Sequence, residues 1–146
     1  MKKFDLYEKQ RLFMQWRRTT GVTNTFMLMI TLAILLVCMQ SMAFASIPWI
    51  AGAIVVLAMF SYEQMIDPES MNAIKRFSTR PTRFTMLMDG ANYLVAYSMM
   101  VISAVFVFTS HGFIELWQYA TWFWLSLYVA VDTSLVRDIE NEIWDL

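Results

Sequence analysis

The stretch 25–44 contains no charged side chain, and this feature constrains the fold more than any other. A helix needs about 20 consecutive, mainly apolar residues to cross the hydrocarbon core of a bilayer. Three further stretches have a similar character. The four predicted spans are about 25–44, 47–65, 84–109 and 116–136. Only 16% of all residues are charged, against about 25% in soluble domains, so the composition also favours a membrane protein.

The apolar stretches predict helices and not the strands of a barrel. Barrel strands alternate apolar and polar residues over about 10 positions, and that pattern is missing from the sequence. Short connections near Ser46 and Gly112 favour antiparallel neighbours. Ser46 is the predicted N-cap of the second helix, and Pro48 suits its first turn. We therefore predict an all-α integral membrane protein, in which residues 1–146 form one domain of two helical hairpins.

The positions of the basic residues predict the orientation. All 11 Lys and Arg residues precede the first span, lie between the second and third, or follow the fourth. Cytoplasmic segments of membrane proteins carry such an excess of positive charge. The cytoplasmic segments are therefore predicted to be 1–24, 66–83 and 137–146, in an inner (cytoplasmic) membrane crossed several times.

The predicted cytoplasmic segments have helical patterns of their own. The stretch Phe4–Arg18 is predicted to lie at the interface or to lead into the first span. A short surface helix is predicted after Asp67, with its basic side chains among anionic lipid headgroups. An apolar stripe continues the fourth helix; it either packs on the N-terminal helix or binds another protein. Predicted contacts with the membrane surface or a partner are Lys75, Arg76, Arg80, Arg83, Arg17, Arg18, Ile139, Ile143 and Leu146.

Carboxylates inside the predicted spans are candidate functional residues, because a buried charge in a membrane is costly. Asp89 and Asp132 qualify, and Glu63 lies at the predicted boundary of the second span. Together with Asn92, these acids can form an ion or proton site. The favoured alternative is structural pairing with the nearby arginines, which are Arg17, Arg18, Arg80 and Arg83.

Aromatic residues crowd the fourth span between Trp117 and Tyr128. We interpret this cluster mainly as an interfacial belt and as packing, because Trp and Tyr favour the membrane–water interface. The alternative interpretation is that the cluster lines a binding groove.

Motifs that identify a reaction are missing from the sequence. It contains no phosphate-binding glycine loop, nucleophile elbow, HExxH motif or CxxC pair. The single cysteine, Cys38, excludes an internal disulfide, and the single histidine, His111, does not suggest a metal site. No catalytic residue, cofactor, metal or nucleic-acid partner is therefore predicted.

The function that this pattern favours is a non-catalytic one. We expect a small inner-membrane subunit or modulator of a larger assembly, of the secretion, conjugation, exclusion or phage-defence type. Its partners would be the lipid bilayer and other membrane-protein subunits or copies of itself. The alternative is a small homo-oligomeric ion or proton channel or transporter that uses the intramembrane carboxylates.

Overall fold

The computed structural model describes residues 2–42, 44–62, 64 and 82–144. Within these residues the chain forms four helices: α1 (Lys2–Gln40), α2 (Ile47–Ser61), α3 (Arg83–Phe108) and α4 (Phe113–Trp144). Helix accounts for 92% of the described residues, and none of them lies in a strand. The all-helical prediction is confirmed for this part of the chain.

Helix α1 is continuous over 39 residues. At a rise of about 1.5 Å per residue, it is about 58 Å long, which is nearly twice the thickness of a bilayer core. The polar N-terminal stretch therefore leads directly into the apolar stretch that follows. The sequence predicts that Phe4–Arg18 either lies at the interface or leads into the apolar stretch. The continuous helix corresponds to the second arrangement.

The connection between α1 and α2 is a tight turn. Met42 has a positive φ of 59°, which places its backbone in the left-handed region. Ser46 occupies the N-cap position of α2, as predicted, but its backbone is helical and its side chain makes no capping hydrogen bond. Pro48 lies in the first turn of α2, where its missing N–H group costs no hydrogen bond.

Helix α4 is the central helix of the bundle. It packs against α1, α2 and α3, while α1 and α2 also pack against each other. The helices joined by short connections, α1 with α2 and α3 with α4, are thus neighbours in space, as those connections predict. Because α2 and α3 flank α4, a groove remains between them.

Buried apolar side chains form three layers along the bundle. One end of the bundle carries the N-terminal half of α1, the start of α3 and the end of α4. We call it the basic end, because the described Lys and Arg residues lie in these segments. The opposite end, with the connections 41–46 and 109–112, is the hairpin end. From the basic end to the hairpin end, the layers are Phe13, Val136 and Ile139; then Ala53, Leu57 and Leu125; then Ile34, Cys38 and Ile50.

Two helices are long and apolar enough to cross a membrane: α1, over Tyr7–Gln40, and α3. Helix α2 is apolar but has only 15 residues, so it is about 22 Å long. Helix α4, with 32 residues, is long enough to cross a membrane. It is not one of the two sufficiently apolar helices, because it is rich in Trp and Tyr, whose polar atoms reduce its hydropathy.

Candidate functional site

Asp132 is held in a buried ion pair with Arg17. The Arg17 Nε atom lies 2.8 Å from Asp132 Oδ1, and Arg17 Nη2 donates to Oδ2 over 2.9 Å. Only 9% of the Arg17 side chain and 13% of the Asp132 side chain are exposed. The guanidinium also lies 4.9 Å above the ring centroid of Phe13, within the range of a cation–π interaction. This geometry favours the structural interpretation of Asp132 over an ion pathway.

Arg17 is therefore buried and does not lie at the surface, where its predicted contacts would place it. The sequence placed it among the contacts with the membrane surface or a partner, whereas its side chain is buried between α1 and α4. The reason is its register: Arg17 follows Phe13 by four residues, and both lie on the face of α1 that packs on α4. Arg18, one residue further on, is exposed.

The other candidate acid, Asp89, lies on α3 and is half-buried. In the part of the chain that the structure describes, it forms no ion pair with Arg83. Asn92 is exposed on α3 and lines the groove beside Val56 of α2. Of the described candidates, Asp132 is paired with Arg17, whereas Asn92 faces this groove.

The apolar stripe at the end of α4 packs on α1. Ile139 is buried against Phe13, and the half-buried Ile143 packs on the same cluster. Lys9 Nζ lies 3.0 Å from Glu142 Oε1 and forms an ion pair there. Of the two alternatives for this stripe, the structure shows packing on the N-terminal helix. Ile139 and Ile143 are consequently covered by the chain itself.

Several predicted contact residues lie outside the described residues. They are Lys75, Arg76, Arg80 and Leu146, and the same holds for Glu63, a candidate for the ion or proton site, and for the short surface helix predicted after Asp67.

A largely buried hydrogen-bond network joins α1 and α4 around Gln64, which follows the end of α2. Asn24 Nδ2 donates to Gln64 Oε1 over 3.0 Å, and Gln64 Nε2 donates to Thr20 Oγ1 over 3.1 Å and to the Tyr128 hydroxyl. Trp124 Nε1 completes the network by donating to Asn24 Oδ1 over 2.8 Å. Such a satisfied network specifies how the helices pack.

Sequence reasoning did not identify this network, although α1 carries a signal for it. Apart from Gly21, the buried residues of α1 recur at spacings of three, four or seven. They are Phe13, Arg17, Thr20, Asn24, Thr31, Ile34 and Cys38. Four of the seven are polar, so a search for apolar periodicity passes over this face. A heptad pattern that accepts small polar residues would have found it.

A groove between α2 and α3 remains unfilled in the apolar half of the described bundle. Near the hairpin end it has a volume of about 370 Å³. It is lined there by Trp49, Met99, Ile102, Ser103, Phe106, Gln118, Tyr119 and Trp122. A shallower section of about 190 Å³ continues toward the basic end, past Ala96 and Ser126.

The aromatic cluster of α4 divides between this groove and the polar network. Tyr119 and Trp122 line the groove, where Trp122 Nε1 donates to the backbone oxygen of Trp49 over 3.2 Å. Trp124 and Tyr128 instead point toward α1 and belong to the network around Gln64. The cluster is thus divided between packing against α1 and the lining of a groove, and its predicted roles as an interfacial belt or a binding groove stay predictions.

Gln118 is the polar residue that most distinguishes the groove from ordinary apolar packing. Its side chain is buried, and it lines the section near the hairpin end. Within the described part of the chain, its amide makes no hydrogen bond, whereas the nearby Thr121 and Ser126 hydroxyls bond to the backbone of their own helix. A primary amide offers two donors and one acceptor oxygen.

No protein-family model, curated protein or solved structure matches the chain. The class of protein is therefore defined by the fold alone: a four-helix bundle with two helices able to span a membrane.

Proposed function

We propose that this chain is a non-catalytic inner-membrane protein that works as a subunit or modulator of a larger membrane assembly. In this proposal the four helices cross the bilayer, and both termini and the connection 66–83 are cytoplasmic. Systems for secretion, conjugation, exclusion or phage defence are assemblies of a kind that such a subunit would serve.

The exposed apolar surface of α3 supports an environment of lipid or other helices. Leu87, Leu94 and Val105 are all exposed, and Phe108 is 90% exposed. Soluble proteins rarely leave a continuous apolar surface of this extent in water. The position of the 11 basic residues supports the orientation. The short α2 is accommodated by local thinning of the bilayer or by its flanking residues.

The observation that carries the assignment to an assembly is the unpaired amide of Gln118 in the α2–α3 groove. Lipid chains provide no hydrogen-bonding group, so a lipid-filled groove would leave this amide unsatisfied. A helix of another subunit, or of a second copy, can fill the apolar groove and bond to the amide. The small side chains of Ala96 and Ser103 allow such a helix to approach closely.

Site-specific photo-crosslinking in native membranes tests the partner surface. A photoreactive residue at Met99, inside the groove, is expected to form a discrete protein adduct. The same residue at Val101 is the matched control, because it lies on nearly the opposite side of α3 and does not line the groove. An adduct of twice the chain's mass would identify a second copy. Lipid adducts alone at Met99 would contradict the proposal.

A nearly isosteric substitution tests the role of the amide itself. Gln118→Leu retains most of the side-chain volume but removes every hydrogen bond to a partner. We expect weaker recovery of the crosslinked partner while the protein level in the membrane stays unchanged. Deleting residues 137–146 would test the contact with a partner less specifically, because the deletion also removes Ile139 and Ile143 from their packing on α1.

Cysteine labelling tests the topology independently of any partner. In a Cys38→Ala background, an impermeant maleimide should label His111→Cys from outside the cell. Arg18→Cys should react only after the membrane is opened. Both positions are exposed on the folded protein, so their reactivity reports the side of the membrane. Equal labelling of both in intact cells would contradict the proposed crossings.

A further inference from the structure

A second groove lies at the basic end, between α3 and α4. Its volume is about 560 Å³. Arg83 and Arg137 line it, and its apolar wall is formed by Met86, Leu87 and Leu94. Positive charge and apolar surface are therefore combined in one open depression, at the end of the bundle where the proposed orientation places the cytoplasmic headgroups.

Arg137 reaches from α4 to the surface of α3 beside Gly90. A Cβ atom built at Gly90 would lie 3.8 Å from Arg137 Nη1, which is an ordinary contact distance. The small side chains of Gly90 and Ala91 leave this part of the groove open. A side chain as large as leucine at position 90 would occupy the space beside the guanidinium.

Neither arginine is neutralised by a carboxylate in the part of the chain that the structure describes. The ion pairs Arg17–Asp132 and Lys9–Glu142 involve other residues. Asp89 and Asp138 are adjacent in sequence to Gly90 and Arg137, but neither lines the groove. Arg83 and Arg137 are therefore able to bind an external anion.

We propose that this groove binds one anionic phospholipid, with its phosphate at Arg83 and Arg137 and an acyl chain along the apolar wall. Guanidinium groups bind phosphate oxygens through paired, charge-assisted hydrogen bonds. The apolar wall selects a lipid over a free anion, because a soluble phosphate would leave Leu87 and Leu94 uncovered. The proposal rests on the membrane insertion in the proposed function but not on the partner helix.

Lipid retention measured by native mass spectrometry tests this site. The protein, in neutral detergent, is mixed with equal amounts of phosphatidylglycerol and phosphatidylcholine. Both lipids carry a phosphate, but choline cancels its negative charge in phosphatidylcholine. An attraction of about 1 kcal/mol per arginine to the net negative charge corresponds to a preference of about 30-fold for phosphatidylglycerol. The double variant Arg83→Gln/Arg137→Gln is expected to lose most of this preference.

A matched control separates the groove from general positive charge. Arg11→Gln/Arg18→Gln removes the same charge from two exposed positions on α1 and should retain the preference. If both double variants lose it equally, or if the groove variant retains it, the site is refuted.

Two further arms test the apolar part of the groove and the source of the phosphate. Gly90→Leu retains both arginines but fills the groove, so it should reduce lipid retention several-fold. Unchanged retention would show binding by surface charge alone and would overturn the site. Inorganic phosphate at the lipid concentration should leave the lipid bound, and displacement would assign the site to a soluble anion. Crosslinking at Met99 is independent of these outcomes, so the two proposals fail separately.

Discussion

Replacing Asp132 by asparagine removes the anionic partner of Arg17 and leaves a guanidinium enclosed between α1 and α4. Both oxygens of the carboxylate lie within 2.9 Å of a guanidinium nitrogen, and both side chains are largely buried. Asparagine has nearly the same shape as aspartate, so packing changes little. The variant therefore isolates the loss of charge from the loss of volume.

The expected magnitude follows from the burial of the pair. Removing one member of a buried ion pair costs about 3–5 kcal/mol, because the remaining charge is desolvated without compensation. The ring of Phe13, at 4.9 Å, and the position near the basic end both offer Arg17 partial relief. We therefore expect Asp132→Asn to reduce the free energy of unfolding by about 3 kcal/mol, the lower end of this range.

The assay is a double-mutant cycle on the purified protein in mixed micelles, with unfolding by dodecyl sulfate followed through tryptophan fluorescence. The variants are Asp132→Asn, Arg17→Gln and their combination, which should be more stable than the sum of the single losses predicts. The matched control is the cycle for Lys9 and Glu142, whose side chains are 38% and 30% exposed. Its coupling should not exceed about 1 kcal/mol.

The comparison between the two cycles decides the result. A coupling energy for Arg17 and Asp132 no larger than that for Lys9 and Glu142 would refute the claim that burial makes this pair structural. Ion flux abolished by Asp132→Asn in a protein of unchanged stability would instead support the carboxylate as part of a conduction path.

Three further outcomes follow from the packing. Asn24→Ala removes the acceptor of the Trp124 indole N–H group. The free energy of unfolding should fall by about 2 kcal/mol, because a buried donor is left unpaired. The exposed Ser98→Ala is the control in the same unfolding assay. Gly52→Val should cost about 1–3 kcal/mol, because the Cβ alone already lies 3.4 Å from the ring of Trp122, and an unchanged midpoint would contradict this tight packing. Leu57→Ala should cost about 2–5 kcal/mol, since Leu57 is fully buried in the middle layer, and a smaller loss would indicate that the layer collapses around the cavity.

The helical class and the approximate position of each helix could be predicted from the sequence, because both depend on local properties. The uncharged stretch 25–44 and the short connections near Ser46 and Gly112 leave few alternatives to helices that pack with their neighbours. The continuation of α4 beyond residue 136 was equally visible, since an apolar stripe at helical spacing is a property of one segment.

The partners of the individual side chains could not be predicted in the same way. Arg17 and Arg18 are adjacent and chemically identical, yet one is buried against Asp132 and the other is exposed. Helical geometry separates neighbouring side chains by about 100°, so the rotation of α1 about its axis decides which of the two faces α4. That rotation is set by the packing of Phe13 on Ile139 and by the bonds of Thr20 and Asn24 to Gln64.

The two grooves likewise arise only when the helices assemble. Gln118 differs little in sequence context from other polar residues of α4, and Gly90 is one of four glycines. The surroundings of each residue come from the helices beside it. Helices α2 and α3 flank Gln118 without bonding to its amide, and Arg137 reaches Gly90 across the α3–α4 contact. A pattern within one helix defines its faces, but which face is covered depends on contacts between residues far apart in the chain.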